Sequence, residues 1–305
     1  MKLQAQARFD GAPTTAAGGL RRLAAYYAVA GNVLLSRYTR GLPQRCFGSA
    51  ARPDRGEFTV AAVIVSRNDD YGGNLHERAA YALRSALGTF DKVLYVDWAS
   101  PSTDLLHDIG HRLPRSGKLS LVRVDPAHAA QLVRHDPEAQ RCCEVLGRNI
   151  GLRRLVAEGF DYIVSSNIDI VFPGAEPLRA FVRQRLAANR MVTVARRDVP
   201  LDDVRRLDSD DPLAVSRALQ AERPAYRQRG AYECDAFSLI DACGDFQIAP
   251  RRVWEAIRGF EQRLIYRLFS DTGVQAKAIA AGFEVAADFD FPLFHIEHGE
   301  GGGGR

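Results

Sequence analysis

Three short apolar runs in this chain each break into polar residues that can bind a ligand. The run at 60–65 opens into Ser66, Asn68 and Asp69, the run at 92–96 into Asp97, and the run at 162–164 into Ser165, Ser166, Asn167 and Asp169. Apolar runs of this length read as buried strands, and a buried strand delivers the residues after it to the carboxyl edge of the sheet, where open α/β sheets bind ligands. Asn and Asp at that edge hydrogen-bond a base edge or ribose hydroxyls. A carboxylate on so rigid a support suits a hard divalent cation that phosphates also hold. Taken singly, each Asp is as readily a turn or helix cap. As a set at successive strand ends they favour a nucleotide site.

The elements that must position these residues are predicted by periodicity. The polar loop 66–73 leads into a helix with Asn74 as N-cap and Glu77 at its third position, a capping-box arrangement, and Leu75, Ala79, Leu83 and Leu87 recur on one face. Further strands are predicted at 92–96 and 119–124. A helix over 148–159, with Leu152, Leu155 and Val156 towards the sheet, leads directly into the central strand at 162. Strand–helix alternation of this kind predicts an α/β fold with a doubly wound, mostly parallel sheet flanked by helices. Residues 1–55, rich in Ala, Gly and Arg, read as an N-terminal arm that is helical over 20–38 and otherwise poorly ordered. Residues 56–298 form the main domain, divided near 172, and the glycine-rich 299–305 reads as a disordered tail.

Composition removes several function classes. A net charge of +4 over 305 residues is too small to argue for a nucleic-acid partner. No GxGxxG follows a predicted strand and opens a helix (the pattern falls only in the glycine-rich tail, 299–304), and GxxxxGK[ST] does not occur, so the dinucleotide fingerprint and the P-loop are both missing. The five cysteines include no CxxC pair, which implies free thiols in a reducing compartment and a cytoplasmic location. The uninterrupted apolar part of the arm, 23–35, falls short of the roughly 20 residues that span a bilayer. It also lacks a cleavage pattern. A helix docked on the domain is the expectation there, with peripheral membrane contact as the alternative.

The order Val63-Ile64-Val65-Ser66-Arg67-Asn68-Asp69, Tyr95-Val96-Asp97, Gly147-Arg148-Asn149-Ile150-Gly151 and Ser166-Asn167-Ile168-Asp169 resembles the catalytic half of GT-A glycosyltransferases, family 2 in particular. The resemblance covers about 58–298. It implies transfer of a sugar from a nucleotide-sugar, a UDP- or GDP-sugar, to a hydroxyl of a glycan or other acceptor, with Mn2+ or Mg2+ as cofactor and inversion at the anomeric carbon. It places Asp97 on the nucleobase, with Ser66, Asn68 and Asp69 beside it, and Arg148 and Asn149 by the diphosphate. The family's metal motif is Asp-x-Asp. Here Asn167 replaces its first acid, leaving Asp169 as the expected ligand.

The second half adds Asp245 and Trp254, in a segment that resembles the family's acceptor-side strand and helix. It also adds Asp271 at a helix start, where the family carries its general base. An Asp there is also a standard N-cap. A late histidine completes the metal shell in such enzymes; His298, just before the tail, is favoured over His295, and strand alternation would put the two on opposite faces. Residues 198–235, dense in Arg, Asp and Glu, read as a solvated helical excursion or a loop closing over the donor, with Arg196, Arg197 and Arg227 in reach of a diphosphate. Two other classes compete. A sugar-phosphate nucleotidyltransferase would carry a basic, Gly-rich loop after the first strand, whereas 66–73 holds only Arg67 as a cation. A non-catalytic nucleotide- or carbohydrate-binding module finds its support in Asn167.

Overall fold

A computed structural model describes residues 56–134, 143–209, 211, 213–226, 228–229, 244–262 and 270–299. The arm with its predicted helix, Arg227 and the tail from 300 onward lie outside these residues. The described strands are, in chain order, β1 (Val60–Ser66), β2 (Lys92–Trp98), β3 (Leu119–Val124), β4 (Tyr162–Ser166), β5 (Ile170–Val171), β6 (Arg190–Val194), β7 (Arg196–Val199), β8 (Gln228–Arg229), β9 (Phe246–Pro250), β10 (Glu284–Asp288) and β11 (Phe294–Ile296). The helices are α1 (Leu75–Thr89), α2 (Leu105–Ile109), α3 (Pro126–Leu132), α4 (Glu144–Glu158), α5 (Ala175–Arg185), α6 (Leu201–Arg206), α7 (Ala214–Ala221), α8 (Arg251–Ile257) and α9 (Ser270–Ala280).

Seven strands form the main sheet in the order β10-β6-β9-β4-β1-β2-β3. Neighbours are parallel except where β9 runs antiparallel to both β4 and β6. Every residue of β1 is buried, as a near-continuous apolar run requires when helices cover both faces. One core lies on the α1 and α5 side, around Leu75, Leu83, Phe90, Phe172 and Phe246, and the other on the α4, α8 and α9 side, around Val63, Leu152, Trp254 and Val274. This is the mostly parallel α/β architecture, with helices on both faces of the sheet, expected from the sequence.

Helix α4 sits unusually close to β1 because two glycines face it. A Cβ on Gly147 would lie 2.6 Å from Val65 Cγ1, and one on Gly151 would lie 2.1 Å from Val63 Cγ2. That approach brings Arg148 down onto the carboxyl edge of the sheet. The predicted capping box of α1 does not form. Asn74 takes a left-handed conformation (φ 53°) with no side-chain cap, and the Asp70 carboxylate accepts the Leu75 N–H at 3.0 Å instead. Glu77 turns outward to Arg205, 2.7 Å away.

A second sheet, ordered β5-β11-β7-β8, lies beside the first. In it β11 runs antiparallel to β5 and parallel to β7, and His295 stands opposite Ile170 on one side and Asp198 on the other. The described part of the charged 198–235 excursion runs from the end of β7 to β8, with α6 and α7 between them. Val204 of α6 and Val215 and Leu219 of α7 pack with Tyr226, Phe294 and Ile296, so these helices are anchored to the second sheet by an apolar face rather than fully solvated.

Candidate active site

Asp169 lies between β4 and β5, buried, and three cationic or imidazole groups converge on its Oδ2. Arg78 Nη1 is at 3.0 Å, His298 Nε2 at 3.3 Å and His295 Nε2 at 3.7 Å. Asp169 Oδ1 is buried with no hydrogen-bond partner. Ligand atoms of Asp169, His295 and His298 all lie within 4.8 Å of one another. The two histidines reach the same point because β11 stops at Ile296. Past it the chain turns, with Glu297 N–H donating to Val199 O and Gly299 N–H to Gly72 O, so the opposite-face alternation expected for His295 and His298 does not extend to His298. Gly299, expected to begin the disordered tail, is thus part of this turn.

These residues fit a divalent cation. Both Nε2 atoms lie within 3.7 Å of Asp169 Oδ2, Asp169 Oδ1 has no hydrogen-bond partner, and both Nδ1 atoms are engaged elsewhere: His295 Nδ1 with Asp198 Oδ1 at 3.1 Å and His298 Nδ1 with Gly299 O at 2.9 Å. A ring that donates its Nδ1 proton offers the lone pair on Nε2 to a metal. Burial alone would raise the Asp169 carboxyl, but His295 and His298 hold it well below the usual carboxylate range. Burial likewise pushes the His295 imidazole down, and the Asp169 and Asp198 carboxylates outweigh it and hold it at about 9.

Arg78 has no signal in the motifs. Its side chain is fully buried on the inner face of α1, where its Nε donates to Gly73 O at 3.1 Å, its Nη1 to Asp169 and its Nη2 to Tyr71 O. The one hint in the sequence is an Arg three residues after Leu75, on the helix's apolar face.

Asn167 and its neighbours form a second cluster. The Asn167 amide nitrogen donates to Asp245 Oδ1, and its oxygen accepts from Arg148 Nη2. Asp245 Oδ2 takes Arg196 Nη1, and Arg196 Nε donates to Asp198 at 3.1 Å. An Asp at 167 would have no proton to give Asp245. The amide therefore has a positive role, and its two polar atoms are committed inside this cluster. Arg148 is buried; its Nη1 donates to Ser165 Oγ at 2.6 Å and to Gly244 O at 3.4 Å. In this structure it holds Asn167 and the 244–245 turn. Arg196 serves Asp198 and Asp245, and Arg197 donates to Tyr226 O at 2.7 Å.

Asp271 is the first-turn acid of α9 and is half-buried. Burial pushes its carboxyl up from 3.8 to about 6, opposed by the Arg148 guanidinium and reinforced by the Glu144 and Asp245 charges. Gly244 leaves room for it, since a Cβ there would lie 1.9 Å from Asp271 Cγ.

Three expected contacts prove to be framework. Asn149 is buried and exchanges hydrogen bonds with the Phe260 backbone, donating to O at 3.0 Å and accepting from N–H at 2.7 Å, so it does not face a diphosphate. Trp254 is buried, donates Nε1–H to Ile163 O at 2.9 Å and stacks on Phe260. It is core, not acceptor surface, because α8 turns its apolar face to the sheet. Asp245 is buried and saturated by Arg196 and Asn167, which makes it an organiser of the site rather than an acceptor contact.

On the nucleoside side, Ser66 is buried with its hydroxyl 2.8 Å from Tyr95 OH, and Asn68 bonds Asp108 Oδ2 at 2.7 Å and His76 Nε2 at 2.8 Å. Asp69 is exposed, with Arg67 Nε at 3.7 Å. Asp97 is fully buried; Ser100 hydroxyl donates to its Oδ1, and Oδ2 has no hydrogen-bond partner, though Arg123 Nε stands 3.6 Å away. Burial raises its carboxyl, with Ser100 and Arg123 opposing.

No family model matches the chain, and no curated protein matches it. Among solved structures it is similar to the mannosyltransferase PcManGT from Pyrobaculum calidifontis in complex with GDP-Man and Mn2+, at 16% identity and a TM-score of 0.48 over 90% of this chain and 67% of that one. It is also similar to S. aureus TarS 1-349 in complex with UDP, at 10% identity and a TM-score of 0.48, over 78% of this chain and 60% of that one. For the longer S. aureus TarS structure the identity is 11% and the TM-score 0.44, over 78% of this chain and 37% of that one. No helix among the described residues is long and apolar enough to cross a membrane.

Proposed function

We propose that the chain transfers a glycosyl group from a nucleoside diphosphate sugar to an acceptor hydroxyl, with inversion and with a divalent cation, Mn2+ or Mg2+, as cofactor. The observation that carries the reading is the convergence at the carboxyl edge of the sheet of Asp169, with its unpartnered Oδ1, and two imidazole Nε2 atoms. That edge also carries a carboxyl held near 6 at Asp271.

In this reading Asp97 Oδ2, an acceptor with no donor of its own, takes an N–H or hydroxyl of the nucleoside, and Asn68 and Asp69 border it. Asp169, His295 and His298 hold the cation, which when bound supplies Lewis-acid stabilisation of the departing nucleoside diphosphate. Asp271 accepts the proton of the acceptor hydroxyl as that oxygen bonds the anomeric carbon on the face opposite the breaking bond to phosphate. A carboxyl near 6 is ionised at neutral pH yet more basic than an ordinary Asp, as a general base should be. Arg148, Asn167 and Asp245 fix the floor beneath these groups.

The test is calorimetric binding of UDP- and GDP-sugars with and without Mn2+ to the wild type and to Asp169→Ala, followed by the anomeric configuration of any product. Metal-dependent donor binding that disappears in Asp169→Ala is expected. A chain that binds no nucleotide under any metal condition is not a glycosyltransferase of this kind.

A further inference from the structure

The metal-holding reading leaves Asp198 unexplained. It is a buried carboxylate on β7, outside the loops that carry the other polar residues, and its strand partner across the second sheet is His295. Its Oδ1 lies 3.1 Å from His295 Nδ1 and accepts Arg196 Nε–H at the same distance. A carboxylate in that place fixes the imidazole's rotamer and its tautomer together: Nδ1 keeps its proton, and Nε2, on the Asp169 side, is the nitrogen that would give up its proton to a metal. His298 receives the same service from a backbone carbonyl, Gly299 O, which is itself held because Gly299 N–H donates to Gly72 O at 3.1 Å. The two rings meet edge to face, 5.2 Å between centroids.

We propose that Asp198 is a positioning residue that makes His295 a second nitrogen ligand, so that the centre offers two imidazoles and one carboxylate rather than an oxygen-rich cage. The inference rests on the metal-holding reading given above and adds a chemical consequence to it. Asn167, at the position that would bring another carboxylate, spends both amide atoms on Asp245 and Arg148. Mg2+ prefers oxygen donors and dehydrates reluctantly. Imidazole favours the borderline first-row ions, whose affinities rise from Mn2+ through Co2+. The centre therefore binds Mg2+ weakest, Mn2+ more tightly and Co2+ and Zn2+ more tightly still.

The experiment uses the full chain, stripped with a chelator and titrated with Mg2+, Mn2+, Co2+ and Zn2+. Nitrogen ligation is read separately, from 14N couplings in the electron paramagnetic resonance of the Mn2+ adduct and from the visible spectrum of the Co2+ adduct. Expected are at least about tenfold tighter Mn2+ than Mg2+ and couplings from two nitrogens. Asp198→Ala should weaken Mn2+ about 10–100-fold and reduce the couplings to one nitrogen. Asp198→Asn, whose amide oxygen still accepts the Nδ1 proton, should recover most of both. A thermal midpoint for each variant separates lost orientation from lost fold, and the wild-type series needs no variant at all. Mg2+ binding as tightly as Mn2+, with binding abolished in Asp169→Ala, would overturn the two-nitrogen inference and leave the metal site standing. Binding of none of the four ions would overturn both. Two-nitrogen ligation that persists in a folded Asp198→Ala would remove Asp198 from its role.

Discussion

Replacing Asp271 with Asn should make the protein inactive and more stable at the same time. The carboxyl is raised from 3.8 to about 6 by burial. A tenfold change in proton affinity is worth about 1.4 kcal/mol, so the ionised form costs the native state at most about 3 kcal/mol at pH 7. The sign comes from proton binding. Between these two values the native state holds a proton that the unfolded chain has released. The protonated carboxyl's advantage is fully present below 3.8 and is lost as pH rises through about 6. Asn does not titrate, so the variant escapes that loss. The gain falls short of the ceiling because Arg148 loses a nearby counter-charge, although Glu144 remains 3.5 Å from it.

The assay is a thermal midpoint for wild type and variant at several pH values between about 4 and 8, spanning the range over which the carboxyl titrates. For a domain of this size about 2–4 °C per kcal/mol is usual. The variant should match the wild type near the acid end of that range and lie several degrees above it at neutral pH. Turnover should fall about 10²–10⁴-fold, the usual contribution of a general base. Wild-type kcat/KM should climb with pH and level off above about 6. A stability difference that does not change with pH refutes the desolvated-carboxyl argument. A stabilised variant that keeps full turnover shows that the base is elsewhere.

Three further substitutions test the framework. Gly244→Ala should leave the fold intact but lower kcat about 100-fold, because the new Cβ claims the space of the Asp271 carboxylate and displaces the end of that side chain; an unchanged kcat with full stability would count against the placement. Asn167→Asp, which restores the acid at the first position of the motif, should destabilise by about 1–3 kcal/mol in urea at neutral pH, since a carboxylate cannot donate to Asp245, and by less in mild acid. Arg78→Met should cost about 3–5 kcal/mol in the presence of chelator by stranding Asp169. Saturating Mn2+ should recover more stability in that variant than in the wild type, which differential scanning calorimetry would show.

The strands that carry the site were legible because each is a short apolar run bounded by polar residues: 60–65, 92–96 and 119–124 fall on β1, β2 and β3 almost to the residue. The second sheet was not. β5 has two residues and β11 three, too few to show a period, and β7 reads Arg196-Arg197-Asp198-Val199, which looks like loop. Asp198 and the convergence of His295 with His298 depend on that sheet's register, so neither was accessible from local pattern. Asn149, Trp254 and Arg148 show the opposite case. Each carries a side chain suited to a ligand, yet each sits on a helix face turned inward, where its polar atoms satisfy backbone or buried partners. Residue type alone does not report which way a helix faces.

The charges of the site explain one another. Asp169, Asp198 and Asp245 alternate with Arg78, Arg196 and Arg148 in a chain of contacts that links the two sheets: Arg78 to Asp169, Asp169 to His295, His295 to Asp198, Asp198 to Arg196, Arg196 to Asp245, and Asp245 through Asn167 to Arg148. Buried ions are tolerable only when paired in this way. Asp271 stands beside this network, where burial drives its carboxyl up to about 6 against the opposing Arg148 guanidinium. A carboxylate at 167 would set a second negative charge directly against Asp245. With an amide there instead, the contact to Asp245 is a hydrogen bond rather than a like-charge repulsion.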